Sequence, residues 1–153
     1  MAPQNMDIAG VRLLMAEDNE LNAEIAQFQL EGAGASVIVA RDGKQALELF
    51  AESPQGTFDA ILMDIMMLVM DGITAIRYIR VLDRADAMTI PIIAMSANAF
   101  EEDAKAGIEA GMNAHLAKPL KIERVIATIA EYCKRNEVSH EENEYDEETA
   151  RII

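Results

Sequence analysis

Five residues able to do chemistry sit at the ends of apolar runs. Glu17 and Asp18 follow "VRLLMA", Asp64 closes "FDAILMD", Ser96 falls near the end of "PIIAMSA", and Lys118 closes "AHLAK" ahead of Pro119. A carboxylate at the end of a buried run is costly unless something cationic or chemical requires it. Three carboxylates brought together repel, so one titrates upward unless a cation sits among them. An oxygen-only ligand set, with no Cys or His cluster, suits a hard ion, Mg²⁺ before Zn²⁺. An Asp carboxylate can also act as a nucleophile and become an aspartyl phosphate. In that chemistry Lys118 supplies a point charge for the phosphoryl group and Ser96 a hydrogen-bond donor. Ion and lysine together stabilise charge on the transferring oxygens, the main task in phosphoryl transfer.

Hydropathy indicates the elements that must hold these residues. Val11–Ala16, Ala35–Ala40, Phe58–Asp64 and Pro91–Ala97 are apolar runs without polar alternation, the pattern of parallel strands buried on both faces. Ala114–Lys118 is shorter and is read as a fifth strand from its place in the rhythm. Helical spacing lies between them: Leu21, Ile25, Phe28 and Gln29, then Ala46, Leu47, Leu49 and Phe50, then Ile73, Ile76, Ile79 and Arg80. A weaker fourth helix covers Glu101–Ala110, and Ile122, Val125, Ile126, Ile129 and Ala130 mark a fifth that ends near Arg135. Asn19 is expected to cap the first helix, Gly32 and Gly34 to end it, and Gly111 to end the fourth. Alternating β and α elements give an α/β fold, a doubly wound five-stranded parallel sheet in flavodoxin-like order. Ligands of such sheets bind beyond the carboxyl ends of the strands, where all five chemical residues fall.

The 153 residues suffice for one ordinary domain, and 51% hydrophobic with 26% charged residues suits a soluble protein with a core. We expect an N-terminal extension over 1–10, one domain over 11–136, and an acidic tail or linker over 137–153. Asp and Glu number 27 against 13 Lys and Arg, a net charge of −14, which argues against direct nucleic-acid binding. Asp64 and Asp71 interrupt the best apolar stretch before it reaches the roughly 18 residues of a membrane span. The start "MAPQNMDIAG" lacks the pattern of a secretory signal, and a single cysteine, Cys133, fits a reducing compartment. The expected location is cytoplasmic.

Taken in order, "LLMAEDNELN", "ARDGKQALELF", "DAILMDIMMLVMDG", "IPIIAMSANAF" and "GMNAHLAKPL" resemble the successive blocks of response regulator receiver domains, most like those of hybrid sensor histidine kinases. The resemblance runs from about Val11 to Asn136. It implies a (βα)5 receiver in a two-component phosphorelay, with Asp64 taking phosphate from a phosphohistidine. Glu17, Asp18 and Asp64 would hold Mg²⁺ through carboxylates and Met66 through its backbone carbonyl. Ser96 would grip the phosphoryl group, Lys118 would pair with it, and the Lys118–Pro119 bond would be cis. His115 falls where relatives often have Tyr or Phe, and is the expected switch partner of Ser96. The resemblance further implies self-catalysed phosphotransfer and autodephosphorylation. Its implied partners are a histidine kinase or phosphotransfer domain and a second copy, met through the fourth helix, fifth strand and fifth helix. Relatives commonly carry proline at the position of Leu68, so the acceptor loop here is freer, and Met66 is apolar where many relatives are polar.

Other signals carry less. Met63, Met66, Met67 and Met70 read as core or loop filling, not a soft-metal site. "EGAGAS" follows a helix and lacks the third glycine of a dinucleotide fingerprint. His115 and His140 form no zinc motif, and no Walker A sequence occurs. Two other functions compete with the receiver. An Asp-dependent phosphatase of the haloacid dehalogenase class wants a second Asp two residues after the first, where Met66 stands. A phosphorylation-independent interaction module should have lost part of the acidic pair, Asp64 or Lys118, and all are present. Both a free-standing regulator and a segment of a hybrid kinase fit the sequence.

Overall fold

Branched and apolar side chains placed in a row, with no polar alternation, leave a strand no solvent face. A computed structural model of the chain describes residues 8–97 and 101–133. In it the central strands β3 (Ala60–Asp64) and β4 (Ile92–Ser96) are buried at every position. They are flanked by β1 (Arg12–Ala16), β2 (Ser36–Ala40) and β5 (Ala114–Ala117), giving one sheet in the order β2-β1-β3-β4-β5. All four pairings are parallel. The doubly wound architecture is as expected; the observed strands are one or two residues shorter at several ends.

Strand alternation divides the core into two layers. Leu14, Ala16, Ile61, Met63, Ile92 and Ala94 face one side, against α2 (Gly43–Glu52), α3 (Gly72–Arg80) and α5 (Glu101–Ala110). Leu13, Met15, Leu62, Ile93 and Met95 face the other, against α1 (Glu20–Gly32) and α6 (residues 122–133). Ile8, assigned by sequence to an extension, is fully buried in this second layer, so core packing begins before Val11. The acidic tail and the end of α6 near Arg135 lie outside the described residues.

Each of the first three helices is started by a side-chain cap. Asn19, Asp42 and Asp71 accept from the amides of Asn22, Gln45 and Thr74, satisfying donors the helix cannot. A short helix, α4 (Ala85–Thr89), has no such cap and too few residues to display a periodic signal in the sequence. The α1 spacing marked a real helix, but the face is turned outward: Leu21, Ile25 and Phe28 are exposed, while Ala23 and Leu30 are buried.

The edge of the sheet at the amino ends of the strands is fastened by two arginines. Arg80 donates to the carbonyls of Gly111 (3.0 and 2.7 Å) and Ala87 (3.0 Å) and to Asn113 Oδ1 (2.9 Å). Asn113 Oδ1 in turn accepts from the Ile92 amide that opens β4. Arg84 donates to the carbonyls of Phe50 and Ser53 (both 2.7 Å), pairs with Asp86, and stacks over the Phe50 ring.

Candidate functional site

The opposite edge, at the carboxyl ends of the strands, gathers the residues singled out by sequence. Glu17 follows β1, with its amide donating to the Ala40 carbonyl at the end of β2 (3.0 Å). Asp64 ends β3 and Ser96 ends β4, both buried. Lys118 follows β5, and its amide donates to the Ser96 carbonyl (2.8 Å), which fixes the lysine beside the centre of the sheet. The Lys118–Pro119 bond is cis, as the resemblance implied.

Glu17, Asp18 and Asp64 each offer a carboxylate oxygen, and these lie within 4.8 Å of one another. Glu17 and Asp64 are buried while Asp18 is exposed, so the trio opens to solvent on one side. Lys118 Nζ lies 2.7 Å from Asp64 Oδ2 and 3.2 Å from Glu17 Oε1. Burial pushes the Glu17 carboxyl above its ordinary value, helped by the Asp64 charge, although the Asn19 amide and Lys118 pull it down. Burial alone would lower the Lys118 ammonium, but hydrogen bonds and charges from Asp64 and Glu17 leave it raised. The site is therefore a lysine shared by two buried acids, with a third acid at its mouth.

The donor set fits Mg²⁺. Its ligand atoms are oxygens, two of the three acids are desolvated, and one lysine cannot neutralise all three. Met66 lies in the loop after Asp64 with its amide 3.2 Å from Asp64 Oδ1, and its side chain is 64% exposed instead of filling the core. Ser96 Oγ lies 3.0 Å from His115 Nε2, so the expected pair is in contact.

Main-chain donors to the acids escaped the sequence reading. The Asn19 amide donates to Glu17 Oε2 (3.1 Å) and the Leu68 amide to Asp18 Oδ2 (3.4 Å). Side-chain types alone do not reveal them, although the absence of proline at position 68 was a hint. Behind the site, Gly72 opens α3 so close to β3 that a Cβ there would collide with the Asp64 carbonyl oxygen. Beside it, an apolar cavity of about 300 Å³ lies between α1 and Pro119–Leu120, with Glu17 and Lys118 in its wall.

A five-stranded parallel sheet with an acidic trio and a lysine on its carboxyl rim places the chain among doubly wound α/β proteins whose ligands bind beyond the strand ends. The chain belongs to the response regulator receiver domain family, which it matches over residues 13–130. It is 35% identical over 139 residues to hybrid signal transduction histidine kinase I of Dictyostelium discoideum, an alignment covering 87% of this chain and 8% of that protein. It is 31% identical over 124 residues to the sensory/regulatory protein RpfC of Xanthomonas campestris, covering 81% of this chain and 17% of that protein. The chain thus spans a small part of these relatives.

Among solved structures, it resembles the receiver domain of sensor histidine kinase PA1611 from Pseudomonas aeruginosa, determined with magnesium coordinated in its active-site cleft. The TM-score is 0.74 at 35% identity, over 82% of this chain and 99% of that one. The chemotaxis protein CheY4 of Vibrio cholerae gives a TM-score of 0.74 at 25% identity, over 81% of this chain and 99% of that one. The chain is a receiver domain of two-component phosphorelay signalling. Among the described residues no helix is long and apolar enough to cross a membrane.

Proposed function

We propose that Asp64 is the phosphoacceptor and that its donor is a phosphohistidine on a histidine kinase or phosphotransfer protein. The observation that carries this reading is the Lys118 ammonium 2.7 Å from Asp64 Oδ2, inside a trio of carboxylates within 4.8 Å. An Asp64 oxygen attacks phosphorus, the P–N bond to the donor imidazole breaks, and the imidazole leaves with its electron pair. Glu17, Asp18 and Asp64 would hold Mg²⁺, with the Met66 carbonyl as a further ligand. The ion supplies positive charge opposite the phosphoryl oxygens. Lys118 gives up part of its contact with Asp64 to neutralise the phosphoryl group, and Ser96 donates its hydroxyl to it.

His115 follows Ser96 as that hydroxyl turns, altering the face formed by α5, β5 and α6 through which the signal, or a second copy, is met. The chain acts in the cytoplasm, as a module of a hybrid kinase or as a free regulator. Incubation with acetyl phosphate and Mg²⁺, then mass spectrometry of the acid-labile adduct, tests the assignment. Label on Asp64 that disappears in Asp64→Asn supports it; label that persists on another carboxylate overturns it.

A further inference from the structure

Each acid of the trio accepts one main-chain N–H: Glu17 from Asn19 at 3.1 Å, Asp64 from Met66 at 3.2 Å, and Asp18 from Leu68 at 3.4 Å. Among the described residues Lys118 pairs with Glu17 and Asp64, and the exposed Asp18 joins no salt bridge. Repulsion from Glu17 and Asp64, which Lys118 offsets only in part, favours rotation of Asp18 into water. The Leu68 amide opposes that rotation. A proline at this position would have no N–H to give.

The loop is built to aim this donor. The Gly72 amide closes it on the Ile65 carbonyl at 2.9 Å, and the Met70 amide donates two residues back to the Leu68 carbonyl at 2.8 Å. Between them Val69 takes a left-handed φ of 72°, a conformation that β-branched residues rarely adopt. The Leu68 side chain is 79% exposed, so what this residue brings to the site is its backbone.

We propose that the Leu68 N–H is a positioning donor. It holds Asp18 Oδ2 so that the carboxylate stays beside Glu17 and Asp64 before an ion arrives, and so raises affinity for Mg²⁺. The inference rests on the reading of Asp18 as a Mg²⁺ ligand. Leu68→Pro removes the proton and Leu68→Ala keeps it.

Calorimetric titration of the full chain with MgCl₂ should show affinity about three- to tenfold weaker in Leu68→Pro, the scale of an ordinary net hydrogen bond, since this contact is long and exposed. Leu68→Ala should bind like wild type. Affinity unchanged or tighter in Leu68→Pro, or equally weakened in Leu68→Ala, overturns the proposal. Absence of Mg²⁺ binding by wild type would instead overturn the underlying reading of the site. Should Leu68→Pro fail to fold, the Leu68 amide resonance in Asp18→Asn decides: an upfield proton shift supports the contact, and an unmoved resonance overturns it.

Discussion

Ser96 Oγ and His115 Nε2 are joined by a 3.0 Å hydrogen bond between neighbouring strands of the sheet. In the mechanism proposed above, the Ser96 hydroxyl turns from this bond toward a phosphoryl oxygen on activation. Tyr or Phe at this position would set a different starting point, because neither presents a ring nitrogen.

His115→Phe should therefore favour the activated state. One hydrogen bond with a net worth of about 0.5–1.5 kcal/mol corresponds to roughly two- to tenfold tighter binding of beryllofluoride in the presence of Mg²⁺. The gain should vanish in a Ser96→Ala background. Unchanged beryllofluoride affinity in His115→Phe would reduce His115 to packing.

Lys118→Ala should destabilise the Mg²⁺-free protein by about 1–3 kcal/mol. It leaves Glu17 and Asp64 buried without their shared cation, and partial solvent access to Lys118 keeps the loss below that of a sealed pair. Mg²⁺ should restore a larger share of stability in the variant than it adds to wild type, because it takes over part of the neutralisation. Urea unfolding with and without Mg²⁺ measures both effects. Equal stability of variant and wild type without the ion would contradict the pairing.

The Arg84–Asp86 pair predicts a pH dependence remote from the site. Hydrogen bonds from Arg84 hold the Asp86 carboxyl below its ordinary value of 3.8, against an opposing effect of burial. The folded chain thus binds this proton less readily than the unfolded chain. The stabilisation is complete above 3.8 and is lost as pH falls through the lower folded value. The melting-temperature difference between wild type and Asp86→Asn should be constant from about pH 7 to 5 and shrink toward about pH 3. A difference independent of pH would mean that the charge is not what Arg84 recognises.

Val69→Gly should raise stability. A left-handed non-glycine residue costs about 1–2 kcal/mol, and glycine returns about 0.5–1 kcal/mol of that as chain entropy. The net gain, up to about 1 kcal/mol, corresponds to a rise of about 2–4 °C in melting temperature. A lower melting temperature would show that the valine conformation carries no strain.

Strands were the most legible part of the sequence because burial on both faces leaves unbroken apolar runs, as in Ala60–Asp64. The site was legible for a related reason: polar residues such as Asp64 and Lys118 stand out where such runs stop. Helix α4 was not, since five residues cannot display a 3.6-residue period. The outward face of α1 was hidden because the spacing of Leu21, Ile25 and Phe28 reports a helix without reporting what lies opposite it. Contacts made by main-chain amides, such as Leu68 to Asp18, depend on loop path, which residue type encodes only weakly.

The guanidinium fastening at the amino edge of the sheet has a mechanical consequence. Arg80 ties the last turn of α3 to α4, to the end of α5 and to the approach to β5, while Arg84 ties α4 back to the end of α2. One edge is clamped, and the other carries charges that change when a ligand or phosphoryl group arrives. The sheet should then behave as a cantilever, with rearrangement greatest at the free rim and smallest beside the arginines. In native-state hydrogen exchange, amides near Ile92 and Asn113 should open only with global unfolding. Those of the loop from Met66 to Met70 should open by local fluctuation.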